Sequence, residues 1–203
     1  NVSPRQIGDP RFPDAVAEAL EITGVAPHRL WLEVTESMML EEPELALMTL
    51  RRIRAMGVRL ALDDFGTGFS SLSMLQRFPI QRIKIDRAFV QGLTEHGSDR
   101  SLVRTIVAMA QSLGLDLVAE GVEEIAQLRA LGELGCDRAQ GFLISRPVPV
   151  EAVPSTVRAI VEAPVTGVFD TRRSPMTAST TSSNAAAPAA ASGPPRPMMA
   201  PLA

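Results

Sequence analysis

The sequence predicts an α/β fold of parallel βα units, and three observations predict it. Short apolar runs alternate with stretches of helical spacing along most of residues 1–163. Glycine or proline closes most of the helical stretches. Acidic or polar residues recur where the apolar runs end, as they do on the rim of a βα barrel.

Leu30–Val34 is a short apolar run that suits a buried strand. A helix follows, with Leu45, Met48, Ile53 and Met56 near helical spacing and Gly57 as its stop. Val58–Leu62 is the second strand. Phe65–Ser71 is a loop rich in glycine and serine, and Ser71–Arg77 is a short helix ended by Pro79. Arg82–Asp86 is the third strand. Ser101–Leu113 is a helix with Leu102, Ile106, Met109 and Leu113 on one face and Gly114 beyond its end. Leu115–Ala119 is the fourth strand, Glu123–Leu134 a helix ended by Gly135, and Arg138–Phe142 a fifth strand. Such units build either a closed barrel or an open doubly wound sheet. Periodicity does not choose between them.

Residues 164–203 break the rhythm. They are rich in Ala, Pro, Ser and Thr, as in Thr177–Ser183 and Ala185–Pro195. Such composition cannot bury enough apolar surface to offset chain entropy, so a disordered tail is expected there. The 203 residues are 45% hydrophobic, enough for one sizeable core in residues 1–163. A net charge of −3 with 20 basic residues gives no basic excess for a nucleic-acid polymer or an anionic membrane. Cys136 is the only cysteine, so no internal disulfide forms, which fits a reducing, cytoplasmic location. No apolar run approaches the ~18 residues of a membrane span, and the start carries no signal-peptide pattern. The first residue is Asn1 rather than Met, so the chain is expected to begin inside a domain.

The positions of the acids carry the functional reading. Glu33 ends the first run, Asp63 and Asp64 the second, Lys84 and Asp86 the third and Glu120 the fourth, and Gln140 lies in the fifth. One acid after a strand is most often a helix cap. Glu123 suits the first turn of its helix, Lys84 could be a solvated strand end, and Asp63–Asp64 could open a turn before Gly66. Repetition weakens these readings, because carboxylates converging on one rim repel and resist burial. A hard divalent cation, Mg²⁺, Mn²⁺ or Ca²⁺, removes that objection, and no His or Cys recurs there to suggest zinc. Adjacent Asp63 and Asp64 can serve two neighbouring ions, the usual arrangement for phosphoester displacement.

The strings Glu33-Val-Thr-Glu36, Asp63-Asp-Phe-Gly-Thr-Gly68, Lys84-Ile-Asp86, Glu120-Gly-Val-Glu123 and Gln140-Gly141, with Asn1-Val-Ser3 before them, resemble those of EAL-domain cyclic di-GMP phosphodiesterases in order and spacing. The resemblance covers about residues 1–155. It implies a modified TIM-type (β/α)8 barrel that opens cyclic di-GMP to linear pGpG with Mg²⁺ or Mn²⁺. By motif, Asn1, Glu33 and Asp63 resemble ligands of one ion, with Asp63 bridging to a second held by Asp64. Glu120 resembles either a ligand of the second ion or the base for the attacking water. Lys84 resembles the lysine that positions that water or neutralises phosphate, and Gln140 a support for the water network. Glu36 resembles the anchor of the Asp64–Ser71 loop, with Phe65, Gly66, Thr67 and Gly68 in that loop and Asp86 and Glu123 behind the ligands. The resemblance also implies a homodimer, with Arg87–Gly92 similar to a family dimer element and the glycine-rich loop coupling metal binding to it.

The family's first strand carries a Glu-Ala-Leu string and then an arginine, and this strand is expected ahead of Asn1. On that expectation the barrel is incomplete and the chain by itself poorly active. An upstream sensor or diguanylate cyclase module, and membrane attachment through it, are expected of the parent protein. The resemblance leaves open a cyclic di-GMP receptor without turnover, while the order of the strings speaks against an unrelated acid-rimmed barrel such as an Mg²⁺ enolisation enzyme.

Overall fold

Four short strands hydrogen-bond side by side in chain order, all parallel. The coordinates are a computed structural model that describes residues 1–66, 72–94, 97–136 and 138–162. These fall in one unit, Asn1–Asp170, and the expected tail, 164–203, lies outside the described residues.

The chain opens with α1 (Pro4–Ile7), which Ser3 and Gln6 close through a reciprocal capping box, and α2 (Phe12–Thr23), which ends at left-handed Gly24. Strand β1 (Trp31–Thr35) follows, then α3 (Glu36–Glu41) and α4 (Pro43–Ala55). Strand β2 (Arg59–Phe65) leads to α5 (Leu72–Arg77), and β3 (Arg82–Ile85) to α6 (Arg87–Gln91) and the long α7 (Gly97–Leu113). Strand β4 (Asp116–Ala119) precedes α8 (Ile125–Leu134), and α9 (Val153–Glu162) comes last.

Alternate strand residues explain the layers. Val34, Leu60, Leu62, Ile83, Ile85, Leu117 and Ala119 face one way and are buried against the helices in the main core. Glu33, Arg59, Asp63, Arg82, Lys84 and Asp116 take the other face. Four parallel strands in chain order with helices over their apolar face are the βα units that the sequence predicts, and the α/β fold class is as expected.

Four details differ from the sequence reading. The expected fifth strand, Arg138–Phe142, shrinks to a single bridge between Ala119 and Ala139. A Cβ on Gly141 would stand 2.1 Å from the Val122 carbonyl oxygen, so the chain packs there backbone to backbone and turns away. In α4 the core face is Ala46, Leu47, Thr49, Leu50 and Ile53, and Met48 is exposed. In α7 it is Val103, Ile106, Val107 and Ala110, with Leu102 outward. Of the expected face residues, Ile53 and Ile106 are in the core and Met56, Met109 and Leu113 pack against it, so only Met48 and Leu102 point outward. Glu123 precedes α8 rather than opening it. The residue before the helix is Glu124, which forms a capping box with Gln127.

A candidate metal centre at the strand ends

Each acid reaches the rim for a local reason. Val2 N–H donates to the Glu33 carbonyl at 2.8 Å, which lays Asn1 beside the end of β1. Strand β2 bulges between Leu62 and Phe65, and Asp64 sits there at φ +53°, alone among described non-glycine residues with positive φ. Side chains one apart on a regular strand face opposite ways, and a bulge re-aims one of them. The consequence is that carboxylate oxygens of Asp63, Asp64 and Glu120 all lie within 4.8 Å of one another.

Lys84 stands at the centre. Its Nζ is 2.9 Å from Glu33 Oε2, 2.9 Å from Asp63 Oδ1 and 2.6 Å from Glu120 Oε1. An ammonium has three donors, and here it meets three acceptors from three other stretches of chain. Lys84 is also the chain's only lysine; every other basic side chain apart from the two histidines is arginine. That count is visible in the sequence and marks Lys84 apart from its motif. A planar guanidinium could not converge on three carboxylates as a compact charge does.

The electrostatics follow. Burial works against charge on Lys84, but hydrogen bonds to Glu120, Asp63 and Glu33 outweigh it and hold its pKa above the ordinary lysine value. Burial raises the pKa of Glu120, and Asp63 and Glu33 add to this while Lys84 opposes it. Burial likewise raises Asp64, helped by the charges of Asp63 and Asp86.

Two observations test whether the set suits a divalent cation. Asp63 Oδ1 is buried and, apart from its ion pair with Lys84, has no hydrogen-bond donor. Three carboxylates share one ammonium, and that of Asp64 lies beside them. The Asn1 amide adds to the crowding: with its nitrogen turned inward it donates to Glu33 Oε2 at 3.0 Å and Asp63 Oδ2 at 3.2 Å, and with its oxygen inward it completes an all-oxygen donor set. Such a set fits Mg²⁺ or Mn²⁺.

The remaining expected residues lie farther out. Asp86 caps α6, accepting from Ala88 N–H at 2.8 Å, and adjoins Asp64. Glu36 is buried at the first turn of α3, and Phe65 is buried at the end of β2. Gly66, at φ +103°, packs against the Phe89 ring of α6. Thr67 and Gly68 lie outside the described residues. Gln140 is exposed, its backbone bridging Ala119 and Val122. Glu123 is exposed and lines a surface groove with Gly92, Asp99 and Gln127. Glu18-Ala19-Leu20 also spells Glu-Ala-Leu, but it lies on helix α2 with Glu18 exposed, not on a strand.

The EAL domain family matches residues 1–147. The chain is 44% identical over 174 residues to an uncharacterized signaling protein of Caulobacter vibrioides, covering 86% of this chain and 22% of that one. It is 43% identical over 157 residues to the bifunctional diguanylate cyclase/cyclic di-GMP phosphodiesterase MucR of Pseudomonas aeruginosa (77% and 23%) and 42% over 159 residues to the cyclic di-GMP phosphodiesterase NbdA of the same organism (78% and 20%). It thus spans about a fifth of the length of the curated relatives it matches. Among solved structures, the MucR phosphodiesterase in complex with c-di-GMP superposes with a TM-score of 0.73 at 43% identity, covering 75% of this chain and 62% of that one. The EAL domain of Mycobacterium smegmatis DcpA gives 0.74 at 40% identity (78% and 71%). The manganese/cy-diGMP complex of Klebsiella pneumoniae BlrP1 at pH 9.0 gives 0.66 at 34% identity (70% and 36%).

Proposed function

The chain belongs to the EAL domain family, and from that premise we propose that its site hydrolyses cyclic di-GMP to linear pGpG with divalent cations. One observation carries the reading: Glu33, Asp63 and Glu120 meet on the Lys84 ammonium, with Asp64 beside them, at the ends of parallel strands. The activities in the names of MucR and NbdA support it, as does the manganese complex of BlrP1.

In this reading Asn1, Glu33 and Asp63 would hold one Mg²⁺ or Mn²⁺, and Asp63 with Asp64 would hold a second. Such ions supply Lewis-acid chemistry, drawing charge from a phosphoryl oxygen and making water more acidic. Glu120 is either a further ligand or the base. As a base it takes a proton from the water whose oxygen attacks phosphorus while the P–O bond to the ribose 3′ oxygen breaks, and that oxygen takes up a proton from solvent to leave as the 3′ hydroxyl of pGpG. Lys84 keeps its positive charge throughout and offsets the charge that grows on the phosphoryl oxygens. Asp64 and Asp86 keep the approach to the second ion acidic, and Gln140 supplies a polar rim. The domain works as a homodimer, with the Gly66–Phe89 contact joining the acid-bearing strand to α6.

A receptor without turnover is the second reading. The test is an extended protein in which a strand bearing Glu-Ala-Leu and its arginine precedes Asn1, incubated with cyclic di-GMP and Mg²⁺ or Mn²⁺. Appearance of pGpG is expected. Binding without any pGpG would replace the enzyme by the receptor.

A further inference from the structure

The polar face of the sheet carries a second tier of charge below the carboxylates. Trp31, Arg59, Arg82 and Asp116 are the first residues of the four strands. Trp31 stands two residues before Glu33, and Arg82 two before Lys84, so each pair shares a face. The Arg82 guanidinium carbon lies 3.7 Å from the centroid of the Trp31 ring, and that of Arg59 lies 5.4 Å from it. Arg82 Nη2 donates to Asp116 Oδ2 at 3.2 Å, and Arg138 Nη1 reaches the same oxygen at 3.2 Å.

The two tiers clamp the same strands. Strands β1 and β3 are not neighbours, because β2 lies between them. Trp31–Arg82 crosses β2 at one level and Glu33–Lys84 crosses it at the next, at 2.9 Å. The lower clamp is flat, broad and mostly buried, with the Arg82 side chain only 17% exposed. The upper one depends on a flexible four-carbon stem, whereas the planar fork of arginine is pre-organised. An ammonium that must meet three carboxylates within a few tenths of an ångström needs its strand held still.

We propose that Arg82, stacked on Trp31 and tied to Asp116, is a positioning residue for Lys84. It holds β3 against β1 so that the ammonium meets Glu33, Asp63 and Glu120 together. This rests on Lys84 being a working member of the site, but it can be tested without turnover. Because the chain has one lysine, protein made with isotope-labelled lysine gives a single side-chain ammonium signal by NMR.

Trp31→Leu and Arg82→Met should each speed exchange of the ammonium protons with water roughly fivefold or more, the scale of a lost cation–π contact. Trp31→Phe should keep the slow exchange, since a phenyl face still accepts the guanidinium. Slow exchange in folded Trp31→Leu or Arg82→Met protein overturns the proposal, and so does a Phe variant as disturbed as the Leu one. Should Trp31→Leu fail to fold, Arg82→Met against Trp31→Phe decides alone. An unhydrolysed substrate with the ammonium signal intact would count against the phosphodiesterase reading and leave the positioning role standing.

Discussion

Lys84 Nζ lies 2.6 Å from Glu120 Oε1, the shortest of its three contacts with carboxylates. The two residues come from the ends of adjacent strands, and Glu120 N–H also donates to the Ile85 carbonyl at 3.1 Å. Backbone pairing and side-chain pairing therefore fix the same juncture.

Replacing Lys84 by Arg keeps a cation but not its shape. The guanidinium is planar and cannot aim donors at three converging carboxylates. Hydrolysis by the extended protein should fall by about 10²-fold or more, the scale of one lost electrostatic stabiliser. Lys84→Met should instead lower stability, by roughly 3 kcal/mol, because the carboxylates left behind keep some solvent but lose their counter-charge. Urea denaturation measures the second effect, and an unchanged midpoint would show that the acids tolerate one another.

Asp63 is asked to serve two ions, so Asp63→Asn should weaken Mn²⁺ binding and abolish turnover. The substitution keeps size and one acceptor oxygen but removes the charge. Titration calorimetry with Mn²⁺ and the pGpG assay check both. Near-normal binding in the variant would remove Asp63 from the ligand set.

Chelation gives the complementary test. If the acids at the strand ends bind Mn²⁺ only in the folded chain, saturation at 100-fold over Kd should stabilise it by about 2.7 kcal/mol. Melting temperature should rise with Mn²⁺ and return on adding EDTA. A chain of the Asp63→Asn, Asp64→Asn double variant should show no rise.

Much of this site was legible in the sequence because strand ends and acids coincide along the chain. Glu33, Asp63, Asp64, Lys84 and Glu120 were each visible as a polar break after an apolar run, and the structure gathers them. The bulge was not legible: adjacent Asp63 and Asp64 could equally have pointed to opposite faces, and only the register slip beyond Leu62 decides. On α4 and α7 only Met48 and Leu102 fall outside the expected faces, because Met and Leu occur at both core and surface positions. Gln140 and Glu123 carry motif identity without burial, so their exposure could not be read from their neighbours in the chain. The Trp31–Arg82 tier was missed because its members begin their strands, where a charged residue looks like an ordinary solvated end.

Gly66 and Gly141 look alike in sequence, each following a polar site residue or its neighbour, but the structure gives them different penalties. At Gly66 an added Cβ would stand 2.8 Å from the Phe89 ring and at φ +103°. A ring can move, but the backbone conformation remains disfavoured for an L side chain. Gly66→Ala should therefore cost about 1–3 kcal/mol, and adding Phe89→Ala should relieve the clash without removing the strain. In the extended protein, Gly66→Val should also uncouple Mn²⁺ binding from dimerisation, which sedimentation with and without Mn²⁺ would detect. At Gly141 the added atom would meet Val122 backbone at 2.1 Å and 2.3 Å, and neither chain segment can yield without breaking the bond from Val122 N–H to the Gln140 carbonyl. Gly141→Ala should thus be the more severe change, beyond about 4 kcal/mol, the range reserved for a disrupted backbone or core. Because Val122 lies two residues past Glu120, the same displacement should weaken Mn²⁺ binding, whereas Gly24→Ala, with nothing within 4 Å of the new Cβ, should not. Equal denaturation midpoints for the Gly141 and Gly24 variants would show that the close backbone approach at Val122 does not hold the Glu120 strand end in place.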